Sequence, residues 1–520
     1  MNNDGNRVEM KHAPMKVLYS NDTTHIISCT SPYHRTGEAF GQQMLEASVD
    51  ETADTGVDVH MLQPGLGVVP WWKSKQYPYE QHFRWFEKTY RVNVDDNLYA
   101  QYMLNGGDMV EAFVQRCRQN SLACFVSLRM NDGHGKEFVD QLPNAEAISQ
   151  IPGFTLHCLN HFYKEHPEYR FELPGEKRVL NWAHAEVREW MFGFIRELCE
   201  QYDLDGFELD FMRFLPYFHP EETTHDQRVE IMTAFIDRVR TLLDQSSQFN
   251  RRRWLCVRVP AFLDQHGKMG LDLPRWVDAG VDMVNLSFSY ISRQDGDLEA
   301  IRKMIPNTRL YVELTHTTRL GPWLPADSIY DTATYRRATD EQFYTAAHRA
   351  YSRGLDGVSL FNFPYYRQHG HPGRAPFHEP PFHIVSHIGD PAWLAKQPQH
   401  YFISKGLMGQ TLKADQSFHE TFDMAVPNGG WRKGGKLRIQ AIDDLGESHW
   451  KAYLNGQELE ETDDRNEPYE QPYAGLIGTP QQHRAWTVPA GFARDRNNSV
   501  QIKLVDGEEA AVIFVDLAIS

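Results

Sequence analysis

The sequence predicts an α/β fold in which a (β/α)8 TIM barrel is followed by a C-terminal all-β sandwich. Over roughly the first 360 residues, short apolar runs alternate with helical patterns, as in β/α units on a parallel sheet. From Tyr401 onward only strand patterns remain. We therefore predict a catalytic barrel over residues 1–363, a Pro- and His-rich segment wrapping the barrel over 364–400, and a jelly-roll-like sandwich over 401–520.

Eight apolar runs are predicted to be the barrel strands. They are His25–Thr30, Val57–Leu62, Leu122–Met130, Gly206–Phe211, Trp254–Val259, Met283–Ser289, Leu310–Leu314 and Gly357–Phe361. Gly56, Gly280 and Gly354 precede three of these runs, where a left-handed glycine ends a helix at little cost. A glycine that recurs between a helix and the following strand supports a repeated β/α unit.

Three of the intervening segments have the 3.6-residue period of amphipathic helices. Their apolar stripes are Val187, Trp190, Met191, Phe194, Ile195 and Leu198; then Met232, Phe235, Ile236, Val239 and Leu243; then Phe343, Tyr344, Ala347 and Tyr351. Each stripe predicts a helix that covers one side of a sheet.

The C-terminal region has the alternation expected of half-buried strands. The predicted strands are Lys436–Ile442, Trp450–Leu454, Ala485–Val488, Ser499–Val505 and Ala510–Ile519. Asn455 and Gly456 form an Asn-Gly pair between apolar runs, which predicts a tight hairpin.

Composition excludes several classes of function. Hydrophobic residues make up 41% of the chain and the formal charge is −17, so we predict a folded protein without a nucleic-acid or membrane partner. The six cysteines are scattered, which argues against structural zinc and iron–sulfur centres, and no cofactor is predicted. The first 30 residues lack a signal-peptide pattern, so we expect a cytoplasmic protein, or a periplasmic or secreted one if a leader was removed. The oligomeric state stays open.

Strand parity predicts which side chains line the barrel, because alternate residues point inward and those at the carboxyl ends form the active site. The residues predicted to point inward are His60, Ser127, Arg129, Asn131, Glu208, Asp210, Arg258, Asn285, Ser287, Ser289, Tyr311, Glu313 and Thr315. In a barrel selected only for stability, Val, Ile and Leu would occupy these inward-pointing positions. The polar residues at the carboxyl ends of the strands therefore predict a functional site.

Two carboxylates at the barrel mouth suit cleavage of a glycosidic bond. One acid protonates the departing oxygen, and a second carboxylate attacks the sugar or activates water. Asp210 and Glu313 are the predicted catalytic pair, with Glu208 one layer deeper, either catalytic or a buried structural partner of Arg258. Arg129 and Arg258 either hold such carboxylates ionised or bind an anionic substrate group.

Loop residues on the same side complete the predicted substrate site. Asp132 and His134 follow the third strand, where they bind substrate or form a simple turn. Aromatic side chains gather in the loops and can stack on the apolar faces of sugar rings. The predicted substrate-binding residues are Arg129, Asn131, Asp132, His134, Arg213, Arg258, Asn285, Tyr311, Trp72, Trp323 and Tyr365.

Two runs of the chain resemble known proteins. Asp205 to Phe214 and Leu128 to His134 look like the strand-four and strand-three signatures of glycoside-hydrolase-like (β/α)8 proteins of bacterial polysaccharide degradation. The C-terminal portion is similar to the jelly-roll modules often appended to such barrels. An Asp at the tip of strand four is more like the nucleophile of α-acting barrel families, which leaves the roles of Asp210 and Glu313 exchangeable.

The leading hypothesis is therefore a glycoside hydrolase acting on a polysaccharide-derived oligosaccharide, which the arginines suggest is sulfated or contains uronate. One alternative is a catalytically silent carbohydrate-binding protein. A second is a metal-dependent hydrolase that uses Asp132, His134 and Asp210, although the chain lacks HExxH-type spacing.

Overall fold

The computed structural model describes residues 15–519 apart from 23, 30, 35–37, 92, 95–97, 137–138, 140–157, 174–178, 214, 248–250, 321–334, 368–378, 404–410 and 473–477. Contacts divide the chain into two compact units. The first runs to Ser289 and includes Ala300–Val312, and the second comprises Tyr290–Glu299 and Glu313–Ser520.

Eight strands close into a parallel barrel, which confirms the predicted fold class. In chain order they are β1 Val17–Asp22, β2 Val59–Gln63, β3 Ala123–Arg129, β4 Gly206–Asp210, β5 Trp254–Pro260, β6 Met283–Ser287, β7 Arg309–Thr315 and β8 Gly357–Phe361. Around the barrel the order is β1-β8-β7-β6-β5-β4-β3-β2, so strands that are consecutive in the chain are neighbours.

The α-helices of the described residues alternate with these strands in the chain. They are Thr24–Ser28, Gln42–Asp50, Tyr79–Tyr90, Leu98–Leu104, Met109–Gln119, His161–Glu165, Ala185–Gln201, His225–Gln245, His266–Met269, Leu273–Asp278, Leu298–Met304, Asp340–Ser352, Val385–Ile388 and Pro391–Leu394. The three helices predicted from apolar stripes are confirmed. In the part of the chain that the structure describes, no helix has the length and apolar character needed to span a bilayer.

Two helices end before glycines with positive φ angles, as the sequence predicted. Gly280 and Gly354 come two residues after helices ending at Asp278 and Ser352, and both have positive φ angles, 101° and 84°. Thr224 and Thr339 begin two helices with capping boxes, in which side chain and backbone satisfy each other's exposed groups.

The prediction of the first strand is wrong. Residues Thr24–Ser28 form a short helix, with Cys29 N–H donating to the carbonyl of His25, and β1 is the preceding run Val17–Asp22. Both runs are apolar and about equally short, so β-branched composition alone did not separate a strand from one helical turn.

The parity assigned to β2 is also wrong by one residue. His60 packs away from the barrel interior, 5.2 Å from the ring of Phe113 in helix Met109–Gln119, and bonds with Thr52. Burial, with a smaller contribution from the charge of His25, lowers the pKa of His60 to about 3. Val59, Met61 and Gln63 consequently face inward, because side chains alternate along a strand.

An apolar cluster fills the amino-terminal end of the barrel. Its buried members are Met15, Leu18, Val59, Met61, Ala123, Phe125, Cys256, Met283 and Tyr311. Gly206 belongs to this layer, where a Cβ would lie 2.4 Å from the ring of Phe125, so a side chain there would displace that ring. Polar groups are therefore confined to the layers above, towards the carboxyl ends of the strands.

Antiparallel sheets form the C-terminal region, as the fold-class prediction required. One sheet has the order Gln399–Ile403, Ala510–Ile519, Gly435–Ala441, His483–Val488 and Glu460–Thr462, with Thr411–Leu412 pairing to Ala510–Ile519; the other has Ser417–Met424, Arg496–Asp506, His449–Leu454 and Gln457–Glu458. Asn455 and Gly456 both have positive φ angles, 54° and 79°, at the predicted hairpin. Val500, Ile502 and Leu504 are fully buried, as their alternation predicted.

The second unit contains a buried network of charges. Asp516 accepts hydrogen bonds from His400 at 2.7 Å and from Arg438 at 2.9 Å, and Arg438 also pairs with Glu467. Burial alone would raise the pKa of Asp516, but the charge of Arg438 and the contacts of His400 outweigh it and lower that pKa. Pairing of Asp516 with Arg438 and His400 makes its burial tolerable.

Candidate active site

Strand register places the polar side chains of the first unit in two layers. Ser127 of β3 is level with Glu208 of β4, and one step higher Arg129 is level with Asp210. Asp210 is in turn level with Arg258 of β5. The parity predicted from the sequence for β3, β4 and β5 therefore places three charged side chains side by side in the upper layer.

Asp210 and Arg258 form a fully buried ion pair. Arg258 Nη1 lies 2.9 Å from each carboxylate oxygen of Asp210, and both side chains are 0% exposed. Asp210 Oδ1 also accepts from the Met212 N–H at 2.8 Å, and Arg258 Nη2 donates to Ser287 at 3.0 Å. The oxygens of Asp210 accept in each of these contacts.

Gln63 connects this pair to Arg129, and sequence reasoning missed it. Its amide Nε2 donates to Asp210 Oδ2 at 3.3 Å, while its Oε1 accepts from Arg129 Nη2 at 2.8 Å. The wrong parity of β2 hid this residue. A polar side chain closing an otherwise apolar strand was the available signal.

Asp132 extends the chain of contacts to His134. Arg129 Nη1 donates to Asp132 Oδ2 at 3.0 Å, and Asp132 Oδ1 accepts from the backbone N–H of His134 at 2.8 Å. The ring nitrogen Nδ1 of His134 lies 2.6 Å from the same oxygen. The Asp132 side chain is fully buried but that of His134 is 30% exposed, so the series of contacts from Asp210 reaches a partly exposed imidazole.

Asp132 and His134 both have lowered pKa values, but for different reasons. Burial would raise the pKa of Asp132, but the charges of His134 and Arg129 lower it well below its usual range. Burial also lowers the pKa of His134, together with the charges of Arg213 and Arg129, and these effects exceed the opposing influence of Asp132. Asp132 is therefore the anion that orients a mostly neutral imidazole near pH 7.

Glu208 occupies the lower polar layer. Its oxygens accept from Ser127 at 2.7 Å and from Asn285 at 3.2 Å, and the thiol of Cys256 is 3.3 Å away. Burial, followed by the nearby charge of Asp210, raises the pKa of Glu208. Two neighbouring carboxyl groups on β4 thus have different environments, one paired with a guanidinium and one held by neutral donors.

Tyr217, one of the aromatic residues that follow β4, was not among the predicted substrate-binding residues. It is fully buried, and its hydroxyl makes no hydrogen bond within the described residues. Burial, and then the charges of Asp210 and Asp132, raise its pKa well above the usual range. Its ring packs edge-on against Trp182 at 5.4 Å.

Three residues predicted to bind substrate make hydrogen bonds within the chain, and their role in binding stays a prediction. The amide of Asn131 bonds both backbone groups of Leu180, and Tyr311 donates to the carbonyl of Met15 at the opposite end of the barrel. Trp72 is fully buried and donates to Glu197 at 2.8 Å. In the conformation described, these groups are occupied within the chain.

The remaining predicted residues have diverse positions. Arg213 is partly exposed in the loop after β4, and its charge acts on Asp132 and His134. Glu313 and Tyr365 are buried residues of the second unit, so the role of Glu313 stays a prediction from the sequence. Trp323 lies outside the described residues.

The three residues of the metal-dependent alternative are occupied by other contacts. Asp132 and His134 bond to each other, and Asp210 bonds to Arg258. Across the described ranges, His, Cys, Asp and Glu side chains form no group of three or more that could hold a metal ion.

Fold and site together describe a TIM barrel with a charged, buried layer at the carboxyl ends of its strands and a C-terminal all-β region. No protein-family model matches the chain, and no curated protein matches it.

Solved structures that resemble the chain include glycoside hydrolases. One is a noncanonic maltogenic alpha-amylase from Thermotoga neapolitana, with 12% identity, coverage of 94% of this chain and 99% of that one, and a TM-score of 0.36. A Bacteroidetes-affiliated GH5 cellulase has 11% identity, coverage of 76% and 95%, and a TM-score of 0.37. Alpha-L-fucosidase isoenzyme 2 from Paenibacillus thiaminolyticus has 9% identity, coverage of 75% and 51%, and a TM-score of 0.41. Such loose superpositions define neither substrate nor catalytic residues.

Proposed function

We propose that the protein is a glycoside hydrolase whose reaction takes place at the carboxyl ends of β3 and β4. The observation that carries this proposal is the series of contacts from buried Asp210, through Gln63, Arg129 and Asp132, to partly exposed His134. Burying this many charged groups is costly, and a barrel selected only for stability would fill the layer with apolar side chains. Glycosidic cleavage needs positioned carboxylates, which this layer supplies.

In this proposal Asp210 is the carboxylate that stabilises positive charge developing on the sugar ring, or attacks it. Arg258 and Gln63 fix its orientation, and preorganised charge of this kind contributes most to lowering a barrier. The predicted partner is Glu313, which supplies the second carboxyl group. Which of the two is the acid, and whether configuration is retained or inverted, stay open.

A catalytically silent carbohydrate-binding protein is the second candidate. It is favoured by the complete burial of Asp210, both of whose oxygens accept hydrogen bonds from the chain itself. A binder would need this layer only to position Asp132, His134 and Arg213 at the surface.

The test is hydrolysis of a panel of neutral and anionic oligosaccharides by the wild type, Asp210→Asn and Glu313→Gln. We expect turnover by the wild type, and losses of about 10³-fold or more in kcat for each variant. Asp516→Asn is the matched control, because it also neutralises a buried, arginine-paired carboxylate, but in the network of the second unit. Full activity of Asp210→Asn contradicts the catalytic assignment, and tight binding without turnover by the wild type supports the second candidate.

A further inference from the structure

We infer that His134 is a catalytic residue that exchanges protons with the reacting groups, and that Asp132 is its positioning residue. This inference rests on the proposed hydrolase function and assigns to His134 a role beyond substrate binding. It starts from geometry, since the contacts that lead from Asp210 reach His134, whose side chain is partly exposed to solvent.

The hydrogen bonds of Asp132 define the tautomer of the imidazole. Asp132 Oδ1 accepts from the backbone N–H of His134 and lies 2.6 Å from Nδ1, so Nδ1 is the nitrogen that carries the proton. In a neutral imidazole the other nitrogen, Nε2, is then an acceptor. A carboxylate that holds one ring nitrogen in this way orients the other towards a reacting group and stabilises the imidazolium when it forms.

Asp132 is itself held in place. Arg129 Nη1 donates to its second oxygen, and Gln63 and Arg129 tie this end of β3 to Asp210. A simple turn would need only the backbone contact of an Asx motif. Here both carboxylate oxygens are engaged by side chains as well, and the site side chains apart from His134 and Arg213 are buried.

The proposed step balances as the addition of water across the glycosidic bond. Nε2 of neutral His134 accepts a proton from a water molecule whose oxygen bonds to the anomeric carbon, as the electron pair of the glycosidic C–O bond moves to the departing oxygen. The departing oxygen leaves from the opposite face of the sugar and takes its proton from the acid of the proposed carboxylate pair. The imidazolium then releases its proton to solvent and the carboxylate regains one from solvent, so both groups are restored.

Three charged groups that face His134 set the pH at which this step operates. Asp132 in its own loop raises its pKa, while Arg129 of β3 and Arg213 in the loop after β4 lower it, and burial lowers it further. Activity should therefore fall as pH drops through a value below 6.5, where the protonated ring no longer accepts.

The experiment measures kcat/KM against pH for the best-hydrolysed oligosaccharide, with the wild type, His134→Gln, Asp132→Asn and Arg213→Gln. We expect His134→Gln to lose about 10²-fold or more and the acidic limb with it. Asp132→Asn should move that limb to lower pH, and Arg213→Gln should move it to higher pH, because they remove charges of opposite sign. A structural role for His134 predicts no such opposite shifts.

NMR titration of the His134 ring provides a readout that does not need turnover, and should give the same opposite shifts in the two charge variants. Retention of full activity and of an unchanged acidic limb by His134→Gln, with Asp210→Asn inactive, overturns this inference alone. Absence of turnover in the wild type overturns both this inference and the proposed function.

Discussion

Arg258 contacts both carboxylate oxygens of Asp210 from a single nitrogen, at 2.9 Å each, with neither side chain exposed to solvent. The β4–β5 register sets this contact directly, since the two residues are partners in the ladder. The remaining nitrogen Nη2 reaches Ser287 of β6. One guanidinium thus joins three neighbouring strands at the level where the proposed chemistry takes place.

We predict that Arg258→Met destabilises the protein by about 3–5 kcal/mol, because it leaves a buried carboxylate without its counter-ion. The double variant Asp210→Asn/Arg258→Met should recover part of this loss, since no unpaired charge then remains. Urea unfolding of the two single variants and the double variant gives the coupling energy.

A surface pair provides the control for that measurement. Arg238 pairs with Glu189, but their side chains are 40% and 61% exposed. Arg238→Met should cost no more than about 1 kcal/mol, because water already solvates both groups. Equal losses for Arg258→Met and Arg238→Met contradict the role given to the buried pair.

Glu208 leads to a prediction about the pH dependence of stability. Its pKa in the folded state is raised above the ordinary 4.5 by burial and by Asp210. The folded state then binds more protons than the unfolded state between those two pKa values. Stability contributed through Glu208 should therefore fall as pH rises from about 4.5 through the raised value, and stay constant above it.

Glu208→Gln should flatten this part of the curve of unfolding free energy against pH, measured from pH 4.5 to 8. Glu189→Gln is the control, because the hydrogen bond from Arg238 lowers the pKa of Glu189, so that its neutralisation does not flatten the curve. Parallel curves for the wild type and Glu208→Gln contradict the prediction. Retention of kcat in Glu208→Gln assigns the residue to structure rather than to catalysis.

Most of the barrel could be predicted because strand identity depends on local patterns. The runs that contain Glu208 and Arg129 are apolar with polar residues two apart, and this period alone placed Asp210 and Arg129 in the upper layer. The first strand could not be predicted in the same way. Val17–Asp22 and Thr24–Ser28 are adjacent apolar runs, and the choice between them depends on pairing with β2, which is a long-range contact.

The hydrogen-bond partners of side chains were less predictable than whether those side chains point into or out of the barrel. Inward parity was right for Tyr311, yet its hydroxyl bonds Met15 at the amino-terminal end, because its height along the strand decides the layer. Trp72 was predicted from its loop position, but its partner Glu197 lies 125 residues away and leaves no mark in the local sequence. Gln63 was missed because one wrong parity hides a whole strand face.

The predicted preference for an anionic substrate now depends chiefly on Arg213. Arg129 and Arg258 each bond a carboxylate of the site, Asp132 and Asp210 respectively. Arg213 is partly exposed in the loop after β4, near Asp132 and His134, where it can meet a sulfate or uronate group.

We predict that Arg213→Gln lowers kcat/KM for sulfated or uronate-containing oligosaccharides about tenfold, equivalent to roughly 1.4 kcal/mol. Neutral oligosaccharides of the same length should be affected much less when assayed at the pH optimum of each variant, and raising the salt concentration should reduce the difference. Arg213→Lys separates charge from geometry, since it keeps the charge but cannot bind an oxyanion through two parallel hydrogen bonds. Equal turnover of neutral and anionic substrates by the wild type would remove the basis for an anionic preference and leave Arg213 with its effect on Asp132 and His134.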